Sequence, residues 1–469
     1  MGFVQAIISY LPEVRKPTEK RLSFGIKLKW TIAVLVAFFI LSAMPLFGLG
    51  QNALSQFESL SIILGASFGS ILSLGIGPIV TASIVLQLLV GSKILKIDMS
   101  THDGRMYFQG LQKIFSFFFI IFEAVIYVFM GGLAPPADLA GTSAYLLLKF
   151  ALVAQLILGG IMVLYMDEIT SKWGLISGVS LFIAAGVSAS IFVRAFSPLT
   201  SAGTWAFGSG QPPVGQVWVL FTSLISGNPS GAVLAISDIV ATILVFVVSV
   251  YAQSMKVEIP LSFGRIRGHG IRWPLKFMYT SNIPVILVAA LIANIQLWAH
   301  LLDRWGYPIL GTFAGNTPAT GLVAWIFSPH VPQAIITGTF GLTQVGQSVI
   351  YILLMVAGAV LFSIFWVQTS GMDANSQARQ IMASGLQIPG FRRDERVLSQ
   401  ILTRYIMPLT VMGAITVGLI ASGADLLGAL SRGTGILLTV MIVYKLYEDI
   451  AHQHLMDMNP GLRKFIGGE

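Results

Sequence analysis

Apolar residues in this chain run in stretches of about 20, the length an α-helix needs to cross the hydrocarbon of a bilayer. Ten such stretches are predicted as spans: 30–49, 71–91, 111–131, 144–166, 177–196, 235–255, 277–299, 345–367, 404–424 and 433–451. Between them lie segments rich in Gly, Pro, Ser and Thr, or in Lys and Arg, as loops are. One run departs from the pattern. Ser73-Leu74-Gly75-Ile76-Gly77-Pro78-Ile79-Val80-Thr81-Ala82 places two glycines and a proline inside a span. Both residue types weaken helices. In hydrocarbon a broken helix survives only where protein or a water-filled cavity surrounds it. The segment therefore predicts a pathway through a membrane.

Charge orients the spans. All but four of the 28 Lys and Arg residues fall at the two ends or in alternate loops: 1–29, 92–113, 167–176, 253–276, 368–404 and from Lys445 onward. The exceptions are Lys149, Arg194, Arg304 and Arg432. Cytoplasmic segments carry the Lys/Arg excess, so both termini are expected in the cytoplasm. Parity settles the region 30–92, whose sole charge is Glu58. Its length could hold three spans, but both flanks are basic, so an even number must cross. The remainder, about 51–70, is expected to stay on the outer side or dip in from it. Segments 197–234 and 300–344 are placed outside by the same reasoning. In the first eleven residues Phe3, Val4, Ile7, Ile8 and Leu11 recur at helical spacing before Pro12. Basic residues follow them, as in an interfacial amphipathic helix.

Composition narrows the function. The chain is 55% hydrophobic and 10% charged, with mean hydropathy +0.81, against about 25% charged in soluble domains. A soluble enzyme is excluded. Cysteine is absent, which rules out disulfides, thiol catalysis and thiolate metal sites. No phosphate-binding loop, nucleophile triad or metal motif is present. No catalytic residue, cofactor or metal is expected, and the chain is not expected to be an enzyme. The first apolar run lacks a small-residue cleavage site, so no cleavable signal is expected.

Ten spans divide into two fives, and an odd number per half inverts one half against the other. In inverted-repeat folds, corresponding Gly/Pro-interrupted spans point to the functional centre. Span 2 carries Gly75-Ile76-Gly77-Pro78-Ile79-Val80 and span 7 carries Asn282-Ile283-Pro284-Val285-Ile286. Ile76 and Val80 share a helix face, as do Val179 and Ile183 in span 5 and Ile283 and Ile286 in span 7. None is ionisable, whereas a solute or ion pathway needs polar groups at its centre. Such residues can close a pore by dewetting, or they can simply pack. Glu123, inside span 3, suggests on its own either a proton relay or a solvated group near the span's end. Lys256, Arg265, Arg267, Arg272 and Lys276 in one loop, with Arg379, Arg392, Arg393, Arg396 and Arg404 in the next, serve topology. Their Arg bias also suits phosphate-rich or acidic partners.

The run Leu74–Ala82 followed by Gln87-Leu88-Leu89-Val90-Gly91 resembles span 2 of the SecY family, the large subunit of the Sec protein-conducting channel. So do Tyr165–Ile169, Leu181–Val187, Val257–Leu261, Ser281–Leu287 and Gly433–Leu438 resemble other parts of that family, in order along nearly the whole chain. The loops look archaeal. The resemblance implies an all-α polytopic membrane protein of ten transmembrane helices. They would form two inverted five-helix halves, a clamshell, plus a short plug helix at about 51–70. Its parts are a cytoplasmic amphipathic arm (1–29), an N-terminal half (30–196), an external hinge (197–234), a C-terminal half (235–451) and a cytoplasmic tail (452–469). The pore ring would be Ile76, Val80, Val179, Ile183, Ile286 and Leu438, with Ile283 adjacent.

The same resemblance implies that spans 2–3 and 7–8 form a lateral gate, at which Thr81, Glu123 and Asn294 meet. Lys256, Arg265, Arg267, Arg272, Arg379, Arg392, Arg393 and Arg396 would dock a ribosome. Other implied partners are small single-span SecE/gamma and beta-type subunits, signal sequences, nascent polypeptides and membrane lipid. The expected location is the cell membrane, and the expected function is passage of unfolded secretory polypeptides with lateral release of membrane segments. A secondary transporter with inverted repeats is the alternative, and polar substrate-binding groups at the helix breaks would mark it.

Overall fold

The structure is a computed structural model, described here for residues 8, 10–19, 22–52, 66–99, 101–200, 204–208, 210–263, 270–280, 283–314, 317–383, 386–387, 394–431 and 433–458. Among the described residues ten long helices organise it: α1 (Phe24–Ala43), α2 (Gly77–Gly91), α3 (His102–Phe129), α4 (Ser143–Trp173), α5 (Gly178–Phe196), α6 (Pro229–Ser254), α7 (Ile283–Arg304), α8 (Leu342–Thr369), α9 (Glu395–Leu426) and α10 (Gly433–Met458). Eight are long and apolar enough to cross a membrane. The others are α2, with only 15 residues, and α10, whose second half carries Lys445, Glu448 and Asp449.

Side chains start many of these helices. Thr101, Thr142, Ser177 and Asn228 accept hydrogen bonds from backbone N–H groups in the first turns of α3, α4, α5 and α6, satisfying donors that have no partner within the helix. Two predicted boundaries are corrected. Span 2 was expected to be helical from 71, yet residues 71–76 form turns and α2 begins at Gly77. Gly75, at φ +54°, takes a left-handed conformation that glycine adopts without a Cβ clash. Span 7 was expected from 277, and α7 begins at Ile283. Pro78 and Pro284 are therefore each the second residue of a helix, where proline removes no internal hydrogen bond. They begin helices within the apolar runs instead of interrupting them.

The segments expected as plain loops hold structure as well. Segment 197–234, expected on the outer side, contains the helix Gln216–Ile225, and α6 starts at Pro229, ahead of the expected boundary. Segment 300–344 contains the short helices Gly321–Trp325 and Val331–Ile336. The basic loop after α6 is a hairpin of β1 (Lys256–Phe263) and β2 (Gly270–Lys276), with Lys256 opposite Lys276 and Ser262 opposite Gly270. From the next basic loop, β3 (Leu386–Gln387) joins the edge of β1. A hydrophobic cluster under this sheet, with Leu275, Tyr279, Ala378, Ile381 and Leu402, ties the two loops to α9.

The main core is one cluster drawn from both halves. The halves meet along two seams. On one side α2 packs against α7 and α8; on the other, α10 packs against α5 and α1. Close approach within the first half depends on α4. A Cβ at Gly159 would overlap the carbonyl of Ile71, in the turns before α2, and one at Gly160 would press on Ile120 of α3. The segment expected as the plug, about 51–70, lies largely outside the described residues. Its two ends are tied together, with Asn52 Nδ2 donating to Phe68 O at 3.0 Å and Ile71 N donating to Met44 O at 3.0 Å.

Residues 12–15 bond to Lys113, within α3, and to Lys172 and Trp173 at the end of α4. Lys113 donates to Pro12 O at 2.6 Å, Lys172 to Val14 O at 2.6 Å and to Glu13, and Trp173 Nε1 to Arg15 O at 2.9 Å. The hydrogen bond from Lys172 holds the Glu13 carboxyl below its ordinary range, opposed by burial and aided by the charges of Lys172, Lys16 and Lys113. A lowered carboxyl supports the docked state at pH values above the ordinary glutamate pKa, about 4.3. That support is lost as pH falls through the lowered value. With a bimane on Cys at position 14, quenched by Trp173, quenching is expected to stay constant from about pH 7 to 5 and to fall in more acid buffer. Loss of quenching above about pH 5 would refute the Glu13 attachment.

Candidate functional site

Four helices start at the centre of the molecule. The alternation of helix directions brings the first turns of α2 and α10 in from one side and those of α5 and α7 from the other. Their opening residues carry every position expected in the ring. Ile76 immediately precedes α2 and Val80 lies in its first turn; Val179 and Ile183 open α5; Ile283 and Ile286 open α7; Leu438 is in the second turn of α10. Ile76, Val80, Ile183, Ile286 and Leu438 are buried in the main cluster, with Val179 and Ile283 partly buried against it. Val80 and Ile286 each stand two residues after the proline that opens their helix. The positions expected in the ring thus share one cluster of branched aliphatic carbon to which all four helix starts contribute.

A small polar group lies beside it. Thr81 Oγ1 donates to Gly77 O at 2.8 Å and lies 3.3 Å from Glu123 Oε1, and Asn294 Nδ2 donates to Thr81 Oγ1 at 3.0 Å. All three side chains are buried, Glu123 completely. The cluster joins α2, α3 and α7, so it crosses the seam between the halves. Gly77 leaves the space for it, since a Cβ there would sit 3.3 Å from Glu123 Oε2. Two further contacts, one across this seam and one within the second half, are not evident from the sequence. Phe122 of α3 meets Trp298 of α7 edge to face, with centroids 6.2 Å apart. Thr280, just before α7, and Ser363 of α8 share a buried hydrogen bond of 3.0 Å. Their spacing matches ordinary helix packing, so only the tertiary pairing identifies them.

A cavity of about 830 Å³ lies beside segment 197–234, lined by Phe38, Phe68, Gly186 and Leu430 together with the polar Arg194 and Asp238. Arg194 donates to Leu430 O at 3.4 Å, joining α5 to the turn before α10 at the second seam.

The basic loops are partly committed to internal contacts. Lys256 and Lys276 both reach Glu448 of α10, the first at 3.6 Å. Arg379 pairs with Glu395 at 2.7 Å, and Arg396 lies at the start of α9. Arg265, Arg267, Arg392 and Arg393 lie outside the described residues, as does the side chain of Arg272.

Residues 70–447 match the family model of SecY. The protein translocase subunit SecY of Methanothermobacter thermautotrophicus is 46% identical, covering 99% of this chain and 98% of its own. That of Pyrococcus furiosus is 42% identical over the same shares. Among solved structures, a protein-conducting channel superposes with TM-score 0.82 at 40% identity, covering 98% of this chain and 99% of its own. Sec61 from a canine ribosome–channel complex of the endoplasmic reticulum gives 0.79 at 40% identity, with the same coverage.

The polar cluster predicts energetic coupling across the seam. In a double-mutant cycle of Thr81→Val and Asn294→Leu, the thermal stability of the purified protein should show a coupling of about 0.5–2 kcal/mol. Strict additivity of the two substitutions would mean that the contact between them contributes nothing.

Proposed function

The chain belongs to the SecY family, and from that membership we infer that it is the pore-forming subunit of a protein-conducting channel. It passes unfolded polypeptides across a membrane and releases transmembrane segments into lipid. We propose that Ile76, Val80, Val179, Ile183, Ile286 and Leu438, with Ile283, form the constriction that closes around the moving chain. The observation that carries this assignment is the convergence of four helix starts, two from each half, on one apolar cluster. A ring of branched carbon excludes water and ions when empty. Its side chains have rotamer freedom enough to part for a peptide of any sequence, because they offer no hydrogen bond that a particular substrate must replace. A secondary transporter needs the opposite, polar groups at the breaks.

The gate is assigned to the seam of α2 and α3 with α7 and α8. We propose that these two helix pairs separate to admit a signal sequence, with Thr81, Glu123 and Asn294 as the latch. The contacts of the three residues cross that seam in a buried setting. The segment about 51–70 is proposed as the plug, its base closed by Asn52 and Phe68, and 197–234 as the hinge. The Lys/Arg distribution supports both termini in the cytoplasm of a cell membrane. A ribosome is proposed to dock on the hairpin and on residues 374–396. The similarity to Sec61 in a ribosome complex supports this, as does the exposure of Lys256 and Arg379. Small single-span SecE/gamma and beta-type subunits are proposed to complete the channel. The chain itself is proposed to be non-catalytic, with the driving force supplied by the elongating ribosome or another motor.

Because the chain has no cysteine, one introduced Cys is a unique probe. Cys at position 76 should crosslink to a stalled translocating polypeptide, whereas Cys at lipid-facing 147, where Leu147 is 72% exposed, should not. Equal labelling at both positions, or none at 76, would remove Ile76 from the pore. For the latch, Glu123→Gln should relax signal-sequence stringency, so that defective signals export several-fold better than in the parent. Unchanged stringency would leave Glu123 a packing residue.

A further inference from the structure

The first turns of α5 and α10 are each fastened by a carboxylate from the preceding long helix. In the first half, Asp167 near the end of α4 accepts the N–H of Val179 at 2.9 Å on its Oδ1. In the second half, Asp425, the next-to-last residue of α9, accepts the N–H of Thr434 at 2.9 Å on Oδ1. Its Oδ2 receives the Thr434 hydroxyl, and also the Tyr351 hydroxyl at 2.6 Å. Asp425, Thr434 and Tyr351 are all buried. A carboxylate suits such a place, because the first amides of a helix lack internal partners and carry partial positive charge.

The two arrangements correspond in further detail. Each fifth helix opens on a glycine that lies directly on the helix before it. A Cβ at Gly178 would stand 2.5 Å from the Cα of Asp167, and one at Gly433 would overlap Ala424. In each half, a residue proposed for the ring lies four positions beyond the amide that the acid holds: Val179, itself a proposed ring position, leads to Ile183, and Thr434 to Leu438. That is one helical turn, about 6 Å. A loop-capping device unconnected with the constriction has no reason to repeat this spacing in both halves.

We propose that Asp167 and Asp425 are positioning residues of the constriction. Each fixes the fifth helix of its half to the fourth, which sets where Ile183 and Leu438 stand in the closed ring. Asp425 does more. Through Tyr351 it joins α8, a helix of the proposed gate, to α10, so movement of α8 is passed to the ring. This inference rests on the reading of Ile183 and Leu438 as ring residues.

The test uses the channel complex with its partner subunits, reconstituted in lipid. Asp167→Ala and Asp425→Ala should each raise resting ion conductance at least tenfold. Asp167→Asn, which keeps an acceptor oxygen for Val179, should restore the parent value. Nitroxides at positions 183 and 438 should show a broadened dipolar distribution in Asp425→Ala, and a smaller broadening in Tyr351→Phe. Alanine variants that fold with parent-like conductance and an unchanged nitroxide distribution would overturn the proposal. Where an alanine variant does not fold, Asp425→Asn decides: it loses one of the two oxygens, and an unchanged distribution in it overturns the proposal equally. A parent complex whose position 76 never contacts a translocating chain would instead remove the ring reading itself.

Discussion

A backbone N–H or C=O exposed to hydrocarbon has no water to bind, so every helix end inside a membrane must be closed by the protein itself. This chain places four helix starts at its centre, and the rest of the architecture follows from how each is closed. For α2 and α7 the device is proline, which lacks the N–H that would need a partner and has the helical φ already set. For α5 and α10 it is a carboxylate from the helix before, with Ser177 helping at α5 and Thr434 at α10. Once the ends are satisfied, the residues just inside them are free to be purely apolar. They meet as one cluster, although they come from opposite directions and from both halves of the chain.

This division of labour explains why the ring positions carry no ionisable group. Polar satisfaction is completed at the helix ends, one turn away from the constriction. A ring with its own polar atoms would hydrate, and a hydrated constriction conducts ions. An aliphatic ring of the proposed kind stays dry by default, and it would yield to a polypeptide by rotamer changes on four helices without breaking hydrogen bonds. The glycines work toward the same end. Gly159 and Gly160 let the turns before α2 and the flank of α3 lie against α4, and Gly178 and Gly433 let the capping helices approach the helices they cap. Most of these contacts bring backbone close to backbone, which leaves little freedom for the ring to drift.

How much of this was readable in the sequence follows the same physics. Apolar runs of membrane-spanning length announce ten helices, because in lipid the pattern depends on transfer free energy more than on packing. The charge distribution and parity kept about 51–70 out of the span count. The pairing of Pro78 with Pro284 pointed at the centre. The helix starts did not follow from the pattern: 71–76 and 277–280 continue the apolar runs of the helices they precede, and hydropathy cannot separate a buried turn from a buried helix. The hairpin β1–β2 was hidden in a loop read only for charge. The capping role of Asp167 and Asp425 is not legible in the sequence because each lies just past a predicted span, where an acid looks solvated, Asp167 with Glu168 beside it. Their partners are 12 and 9 residues downstream, a spacing that carries no motif. The interval of four residues between capped amide and ring residue becomes visible only when the two halves are compared in three dimensions.

The two seams between the halves are built from different chemistry, and that difference has a consequence for opening. When a hydrophobic helix enters at α2, α7 and α8, it exchanges apolar contacts for apolar contacts, and the net change in burial is small. What distinguishes the closed seam is the polar cluster of Thr81, Glu123 and Asn294, whose contacts are of a kind worth about 0.6–2 kcal/mol each inside a membrane. A few such contacts give a closed state that is favoured yet reversible, and they set how apolar an entering helix must be. The ring answers to a different demand, the exclusion of ions. Gate strength and leak tightness can therefore be tuned by different residues. In the proposed arrangement they are joined where α8 and α10 both bond to Asp425 of α9, through Tyr351 and Thr434, so that opening of the seam would reach the ring through one buried carboxylate.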